Sequence, residues 1–540
     1  MDHIENYIQK IHSALRGGST VRISSFVDEH AAVLPVLHPH VRAKKADISA
    51  LIYSILRLPS EILLARSVIM GQSDRVFEQV GIQMASKQWL TTKAIARERQ
   101  CAYNKRTSTI AVFVASISDV EDLITILTAF YIEVQKLHQQ LQEDGITLAD
   151  CFSPEDYSKL QEVLSNQWKR FETLVAAPID YELKLLAGSS VDYSKTVQQW
   201  WIHIASSRKE YPFDVYKQPV YFVSSNSHSL INTLSGFPLK NAKMLFADNA
   251  EFLEKNAEAF AQEHVPKENI CSYLSRFTQR RNPQFMKDKL QYEKKQGLIR
   301  LKPYHHIDIE AQIFSIRDVI TNKWLDPRLK INERMRKQLI RSNALIVNIA
   351  YPLGMGAYSI LREVSENVPE VRGVYIMGKC ASLNASIGDI TIPHYVRDLH
   401  TKNQMFVNNI FSSDTFAPYV EKNSVLTNQK AVSVRGTFLQ NEHSLQQDYK
   451  DGYTIVEMEA GPYLNRVYEM IYPERYPTHS TVVLDPDFRL GLAYYVSDTP
   501  HKKGLNLGAK RLTWEGLNGT YAISLGILRD IFSTEAGQSR

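Results

Sequence analysis

At 540 residues, the chain is too long for a single compact core, and its length favours roughly two to four domains. Its composition, with 44% apolar and 22% charged residues, is that of an ordinary globular protein. The net charge of +5 is small for this length and does not indicate a nucleic-acid-binding surface, and no stretch approaches the roughly 20 apolar residues that span a bilayer.

The four cysteines, Cys101, Cys151, Cys271 and Cys380, lie far apart in the sequence. They form no Cys-x-x-Cys pair, so neither a zinc ribbon nor a disulfide framework is indicated. The amino terminus has the pattern of an amphipathic helix and lacks the apolar core of a secretory signal. We therefore expect a cytoplasmic protein with no membrane partner.

Residues 1–195 have the pattern of an α-rich domain, whose role the sequence does not indicate. Apolar residues recur every three or four positions in 47–69 and in 118–142, the period of a helix that buries one face. The first residue of each range, an aspartate and a serine, is the expected amino-terminal cap. One strand is predicted, over 109–117.

A basic cluster follows the first of these helices. It could hold an anion, although a solvated protein surface is the interpretation that such a cluster favours. Its members are Lys93, Arg97, Arg99, Lys105 and Arg106.

The pattern then changes to that of an α/β domain, which we place at 196–540. Short runs rich in β-branched and aromatic residues alternate with longer helical stretches. Runs that are apolar on both faces and separated by helices indicate a mainly parallel sheet covered on both sides. The predicted strands are 219–225, 242–248, 344–350, 373–379, 431–437, 454–460 and 490–498.

Polar residues and glycines collect directly after six of the predicted strands. In sheets of this kind, ligands bind at the carboxyl ends of the strands. The sequence therefore predicts one site that is assembled from several segments. These segments are 224–229, 354–356, 378–384, 438–442, 457–459 and Asp498.

The run "TIVEMEAGPYL" places two glutamates, Glu457 and Glu459, around a methionine. On a half-buried strand, alternation would put both carboxylates on a solvated face and Met458 in the core. In the predicted site, a carboxylate would instead meet a ligand. The polar segments after the neighbouring strands favour the second interpretation for Glu459.

Three segments resemble the nucleoside phosphorylase and nucleosidase superfamily over roughly residues 215–535. "VYIMGKCASLNASIGDITIPHYVRD" resembles its central signature, "VEMEAGPYL" its ribose-binding Met-Glu motif, and "LAYYVSDTP" its purine-site strand ending in Ser-Asp. The most similar family is AMP nucleosidase. The resemblance implies a phosphorylase-like three-layer domain with a central, mainly parallel mixed sheet.

The resemblance also implies roles for the last two motifs. Asp498, with Ser497 beside it at the base, would share a proton with N7 of the departing purine, a general-acid contribution of about 10²–10⁴-fold. Glu459 would accept hydrogen bonds from the ribose 2′- and 3′-hydroxyls, and Met458 would pack beneath the sugar. Glu457 would share the face of Glu459.

The resemblance also implies roles for residues in two loops. Gly354 and Gly356, at the start of a helix, would expose backbone amides to the phosphate or water nucleophile. Close packing of strand against helix explains such glycines equally well. Phe438 would stack on the base.

The chain departs from the superfamily at two turns. Typical phosphorylases have Gly-Asp-x-x-Arg after their first strand, whereas this chain has "SSNSHS", with Asn226 and His228. The missing arginine favours hydrolysis, with His228 positioning water or an anion. At the central turn, Gly378 is followed by Lys379, which could meet a 5′-phosphate. Further phosphate candidates, unless they are solvated surface residues, are Lys502, Lys503 and Arg511.

We therefore expect an N-ribosyl hydrolase that releases the free base from a purine nucleotide or nucleoside. Its chemistry would need no metal and no organic cofactor, and the superfamily implies a homo-oligomer. A phosphate-dependent nucleoside phosphorylase is one alternative. A nucleotide-binding regulatory protein of the same fold that has lost turnover is another.

Overall fold

The computed structural model describes residues 3–97, 99–186, 190–207, 211, 213–301, 303, 307, 309–499 and 514–537. The predicted phosphate candidates Lys502, Lys503 and Arg511 lie outside these residues. Of the helices that the structure describes, none combines the length and the hydropathy needed to cross a membrane. We refer to residues 3–186 as the N-terminal region and to residues 190–537 as the C-terminal region.

The N-terminal region contains a six-stranded mixed sheet. Its strands are β1 (Thr20–Arg22), β2 (Ser67–Gly71), β3 (Trp89–Thr92), β4 (Cys101–Asn104), β5 (Thr109–Phe113) and β6 (Glu182–Leu185). They lie in the order β1-β6-β2-β5-β4-β3, and β2 is parallel to both of its neighbours. The sequence predicted only β5, because strands of three to five residues are too short to show a clear period.

Seven helices of this region are described. They are α1 (His3–Ala14), α2 (Val27–Val33), α3 (Ile48–Arg57), α4 (Asp74–Glu78), α5 (Ile117–Asp144), α6 (Pro154–Leu164) and α7 (Trp168–Ala176). Asp47 caps α3 as predicted, because its side chain accepts two backbone amides of the first turn. The cap of α5 is Ser116, in a capping box with Asp119, and not Ser118.

The C-terminal region is built on an eleven-stranded mixed sheet. Its strands are β7 (Val220–Ser225), β8 (Leu298–Leu301), β9 (Ala311–Ser315), β10 (Leu345–Ala350), β11 (Val371–Ser382), β12 (Ile390–Asp398), β13 (Gln404–Val407), β14 (Val425–Ser433), β15 (Tyr453–Glu457), β16 (Thr481–Leu484) and β17 (Arg489–Asp498). Their order is β16-β13-β12-β14-β15-β11-β7-β10-β9-β8, and β17 pairs with β11 and β12. The adjacent strands β17, β11, β7 and β10 are mutually parallel.

Helices pack on both faces of this sheet. They are α8 (Ser190–Ser206), α9 (Ser229–Ser235), α10 (Phe237–Lys240), α11 (Ala242–Asp248), α12 (Ala250–Gln262), α13 (Lys267–Arg281), α14 (Pro283–Lys295), α15 (Ile316–Val319), α16 (Glu333–Leu339), α17 (Met355–Asn367), α18 (Ser413–Phe416), α19 (Glu442–Lys450), α20 (Ala460–Ile471) and α21 (Leu517–Glu535). In β7, Val220 and Phe222 belong to the core formed with α17 and α20, and Tyr221 and Val223 to the core formed with α9 and α21. Apolar strands with both faces covered match the sequence pattern.

Two features of the C-terminal region differ from the sequence predictions. The run 242–248, predicted as a strand, is helix α11. It contains no β-branched residue, and its alanine, lysine, methionine and leucine residues favour a helix. The predicted domain boundary at 195 falls inside α8, whose Trp200 and Trp201 are buried in the core of the C-terminal region.

Candidate functional site

Strand β11 brings two acidic segments together. At Ala381 it pairs on one side with Val456 of β15 and on the other with Asp498 of β17. Neighbouring strands are about 4.8 Å apart, so Val456 and Asp498 lie roughly 10 Å from one another. The register with β17 shifts between Cys380 and Ala381, a bulge of the kind that re-aims side chains near sites.

Asp498 is the last residue of β17 and is half-buried. Its Oδ2 accepts a hydrogen bond from the hydroxyl of Ser497 at 2.6 Å, and that hydroxyl lies 3.2 Å from the carbonyl oxygen of Cys380. Ser497 therefore connects the end of β17 to β11 and orients the Asp498 carboxyl. This places Ser497 within the predicted site.

Glu457 is buried, so it does not belong to a solvated strand face. Its Oε1 accepts a hydrogen bond from the hydroxyl of Ser433, and its Oε2 accepts the backbone amides of Glu459 and Ala460, both at 2.7 Å. Both of its oxygens are thus used within the protein at the start of α20. Its predicted contact with substrate is not supported, and we reassign it as the residue that positions Glu459.

Glu459 stands at the start of α20 and is half-buried. Burial, together with the charge of Glu457, raises the pKa of its carboxyl to about 8, against opposing effects that include those of Lys379 and Arg97. Met458 is partly buried against a small apolar cluster beside the two acids. A carboxyl that titrates near neutral pH in a polar recess is typical of functional sites.

Lys379 lies in a recess at the same end of the sheet. It is paired in register with Tyr495 of β17, and its side chain keeps solvent-accessible area. Burial is nevertheless the main cause that lowers its pKa, while the charges of Asp498 and Glu459 act in the opposite direction. Lys379 is exposed at this end of the sheet, and its charge lies close enough to interact with those of the two acids.

Two arginines of the N-terminal region reach the same recess. Arg57 and Arg97 are close enough to Lys379 for their charges to lower its pKa. Arg57 also interacts electrostatically with Asp498, and Arg97 with Glu459. The candidate site therefore lies where the two regions of the chain meet.

The predicted basic cluster divides into two parts. Arg97 and Arg99 are held by ion pairs with the buried Asp122, at 2.7 Å and 3.0 Å, so the solvated-surface interpretation is wrong for both. The other members of the cluster are exposed, as that interpretation expects. They are Lys93, Lys105 and Arg106.

Unpartnered polar groups occur around Glu459. The hydroxyl of Tyr494 is buried without a hydrogen-bond partner, and burial with the charges of Glu457 and Glu459 raises its pKa well above the usual range. The hydroxyl of Tyr351 and Nδ2 of Asn226 lie near each other, yet neither makes a hydrogen bond of good geometry. Buried polar groups of this kind are suited to a polar ligand.

The turn after β7 is organised by Asn226. Its Oδ1 accepts the backbone amides of His228 at 2.9 Å and Ser229 at 2.6 Å, which starts α9. Burial, with the charges of Arg276, Lys289 and Arg300, lowers the pKa of His228 to about 3. His228 is therefore a neutral imidazole at physiological pH. The turn "SSNSHS" contains no arginine, but these three cations from other segments lie near it.

Three backbone amides of the Gly354 loop are already used within the protein. The amide of Met355 donates to the hydroxyl of Ser118 at 3.0 Å, and the amides of Gly356 and Ala357 donate to carbonyl oxygens of the same turn. A Cβ at Gly354, whose φ is +50°, would lie 2.3 Å from Oγ of Ser118. Gly354 is therefore closely packed against α5. A Cβ at Gly356 would lie no closer than 3.7 Å to its neighbours, so the predicted role of Gly356 stays a prediction.

Phe438 is fully buried in the core of the N-terminal region. Its ring lies 5.3 Å from that of Tyr53 and 5.5 Å from that of His30, so its faces are already covered. The predicted stacking on a base is not supported. Phe438 belongs to residues 434–441, which follow β14 and which we call the docking loop.

Gly378 has a packing role. A Cβ there would lie 2.7 Å from the Tyr494 ring, so the glycine allows this tyrosine to lie beside Glu459. The predicted direct contact of Gly378 with substrate therefore has a simpler explanation in the packing of β11 against β17.

Several site residues were missed by sequence reasoning, for two reasons. Tyr351 follows β10 and Tyr494 lies in the last half of β17, close to the strand ends where the sequence predicts a site. They were nevertheless missed, because a tyrosine beside apolar residues has the pattern of a core residue. Arg57 and Arg276 carried no signal, because tertiary packing alone brings them near the site. Among the described residues, no group of three or more histidine, cysteine, aspartate or glutamate residues could hold a metal ion.

One protein-family model matches residues 23–533, and its description is "Family of unknown function (DUF6909)". No curated protein matches the sequence.

Solved structures of nucleosidase and phosphorylase type show weak, partial similarity to this chain, each with a TM-score of 0.28. A candidate methylthioadenosine nucleosidase from Weissella paramesenteroides is 11% identical over 44% of this chain and 89% of its own. A methylthioadenosine phosphorylase from an antarctic soil metagenomic library is 9% identical over 37% and 74%. A candidate 5′-methylthioadenosine/S-adenosylhomocysteine nucleosidase from Borrelia burgdorferi, bound to adenine, is 10% identical over 43% and 90%. At these values the likeness does not establish a substrate or a reaction.

Proposed function

The chain belongs to the family of unknown function DUF6909, and from this premise we propose that it hydrolyses the N-glycosidic bond of a purine nucleoside or nucleotide. The observation that carries the proposal is the pairing of β11 with both β15 and β17 at Ala381, which brings Glu459 and Asp498 into one recess with Lys379. The last two sequence motifs assign these same two acids to the sugar and the base by resemblance.

Cleavage of this bond develops positive charge on the sugar and negative charge on the departing purine. Asp498 would share a proton with N7 of the base, with its carboxyl oriented by Ser497. Glu459, once ionised, would accept hydrogen bonds from the ribose hydroxyls and favour positive charge at C1′. Met458 would pack beneath the sugar.

The buried polar groups near Glu459 support a polar substrate at this position. Tyr351 and Tyr494 offer two hydroxyls, and Asn226 offers its Nδ2 amide nitrogen, none of which has a well-formed hydrogen bond inside the described part of the protein. A ribose, which carries hydroxyls on one face and an apolar ring, would satisfy such groups. Glu457 would act indirectly, by holding the start of α20.

Phosphorolysis is the second candidate, favoured by the cations around the turn after β7. Arg276 is near His228 and has no carboxylate partner among the described residues. An inorganic phosphate beside a neutral His228 and Arg276 would be the nucleophile in that case. Hydrolysis remains the first proposal, because the turn itself lacks the arginine that typical phosphorylases place there.

The test is release of free base, followed by chromatography, from purine and pyrimidine nucleosides and their 5′-monophosphates, with and without inorganic phosphate. Base release without phosphate is expected. Release that requires phosphate would replace hydrolysis by phosphorolysis. No release from any of these compounds would contradict both reactions and support a ligand-binding protein of the same fold.

A further inference from the structure

Arg57 is a cation without a carboxylate partner among the residues that the structure describes. It ends α3, and its guanidinium carbon lies 3.5 Å from the centre of the Tyr53 ring. Its Nη1 donates to the carbonyl oxygen of Tyr53 at 3.3 Å. These contacts fix the direction of the guanidinium and leave its charge unneutralised by any of these residues.

Contacts between the regions hold Arg57 at the recess. The hydroxyl of Tyr53 donates to Oγ1 of Thr437 at 2.9 Å, and the Tyr53 ring packs edge-on against Phe438. Thr437 and Phe438 both belong to the docking loop of the C-terminal region. The end of α3 is therefore anchored on the loop that follows β14, next to the strands that carry the acids.

Lys379 resembles Arg57 in this respect. It has no ion-pair or hydrogen-bond partner among the described residues, whereas the neighbouring Arg97 is neutralised by Asp122. Burial lowers the pKa of both Arg57 and Lys379, and the charge of Asp498 opposes that effect in both. Arg57 is partly buried and Lys379 is exposed, and two cations that lack an ion-pair partner in the described part of the chain and face the same acids favour an anion between them.

We propose that Arg57 and Lys379 together bind a phosphate group of the substrate, so that the N-terminal region makes the site select nucleotides over uncharged nucleosides. The inference rests on the proposed function, because that function makes the bound anion part of a substrate. The anion site itself is argued from the positions of the two cations. It gives the N-terminal region a direct part in the site, because the sheet supplies one of the two cations and α3 supplies the other.

The experiment compares kcat/KM for a purine nucleoside 5′-monophosphate with kcat/KM for its nucleoside. In Arg57→Gln, the ratio of the two values should fall about 10- to 100-fold, the size expected for a lost charged hydrogen bond. Lys379→Gln, in the other region, should lower the ratio similarly. Arg57→Lys should restore part of it. Arg75→Gln, at an exposed arginine of α4, is the matched control and should leave the ratio unchanged.

Two results would overturn the inference. One is an unchanged ratio in both Arg57→Gln and Lys379→Gln. The other is an equal loss for monophosphate and nucleoside, which would mean that these residues support the fold only. Lys379 has an accessible side chain, so its variant keeps the test valid if Arg57→Gln fails to fold.

A binding measurement separates this inference from the proposed reaction. If the wild-type protein releases no base, the reaction fails, and titration calorimetry with the same monophosphate decides the inference. Binding to wild type that weakens about 10- to 100-fold in Arg57→Gln would support the phosphate site without the reaction. Absence of binding to wild type would contradict the phosphate site as well.

Discussion

The two regions contribute to the site by different means. In the C-terminal region, Glu459 and Asp498 are placed by strand register, since Asp498 pairs directly with Ala381 of β11 and Glu459 follows Val456, which pairs with the same residue. In the N-terminal region, Arg57 and Arg97 are placed by packing against the docking loop and by ion pairs within the region. The positions of the two acids therefore depend on strand pairing within the sheet, whereas the positions of the arginines relative to these acids depend on how the two regions pack together.

The largest expected effect tests the contribution of the sheet. Asp498→Asn should lower kcat for base release by about 10²–10⁴-fold, because the amide cannot donate the proton that N7 requires. Binding of the substrate, measured by calorimetry, should be largely kept. Asp487→Asn, at an exposed aspartate of the loop before β17, is the control. Full activity in Asp498→Asn would contradict the assigned general acid.

The contact between the regions is tested by Arg435→Met. Arg435, in the docking loop, pairs with the fully buried Glu121 of α5, which also pairs with His12 at 2.8 Å. Without Arg435, the buried negative charge of Glu121 keeps only His12 as an ion-pair partner among the described residues. The free energy of unfolding should therefore fall by about 3–5 kcal/mol in urea titrations. Lys10→Met, which breaks the more exposed pair with Glu29, should cost less than about 1 kcal/mol. Similar losses in both variants would weaken the view that this contact anchors the regions.

The pH dependence of the reaction tests the state of Glu459. Its pKa is raised to about 8 in the free site, and the proposed role requires the ionised carboxylate. The value of kcat/KM should therefore rise with pH, about tenfold per pH unit, over the range below the pKa of Glu459. A profile that is flat from pH 6 to pH 9 would show that Glu459 does not need to ionise.

The smallest effect concerns stability. A carboxyl whose folded pKa lies above its unfolded pKa loses stabilisation as pH rises between the two values. As the pH rises from about 4.5 to about 8, Glu459→Gln should therefore become more stable than wild type, by about 1–3 kcal/mol in denaturation at the higher pH. Glu162→Gln, at an exposed glutamate, should show no such change. A difference that is independent of pH would contradict the raised pKa.

Sequence patterns predicted the strands of the C-terminal sheet well where the runs were long and apolar on both faces. Strand 242–248 failed because a run without β-branched residues carries no preference for a sheet. In the N-terminal region, five strands of three to five residues were missed, because such short strands show no clear period. In addition, β1 and β2 both pair with β6, which is distant along the chain, and local sequence does not report such pairing.

The residues of the candidate site also fall into those that the sequence predicted and those that only the packing explains. The sequence alone identified the acids, since Glu459 and Asp498 stand in recognisable motifs at strand ends. The contacts it predicted for Phe438 and Glu457 are not supported, and for Gly354 it left close packing open, because a residue after a strand faces a ligand or a neighbouring segment depending on what else packs there. Here α5 and the core of the N-terminal region occupy two of those positions.

By itself, the sequence predicted the apolar strands β7, β10, β11, β15 and β17, the helix cap at Asp47 and the order of the acidic motifs, because these depend on residues near one another along the chain. Only the tertiary structure decided which charges share the recess. Arg57 and Lys379 are separated by more than half of the chain, and they meet because Tyr53 binds the docking loop through Thr437. Long-range packing of this kind leaves no period or motif in the sequence, and it is what places a cation of the N-terminal region beside the acids of the sheet.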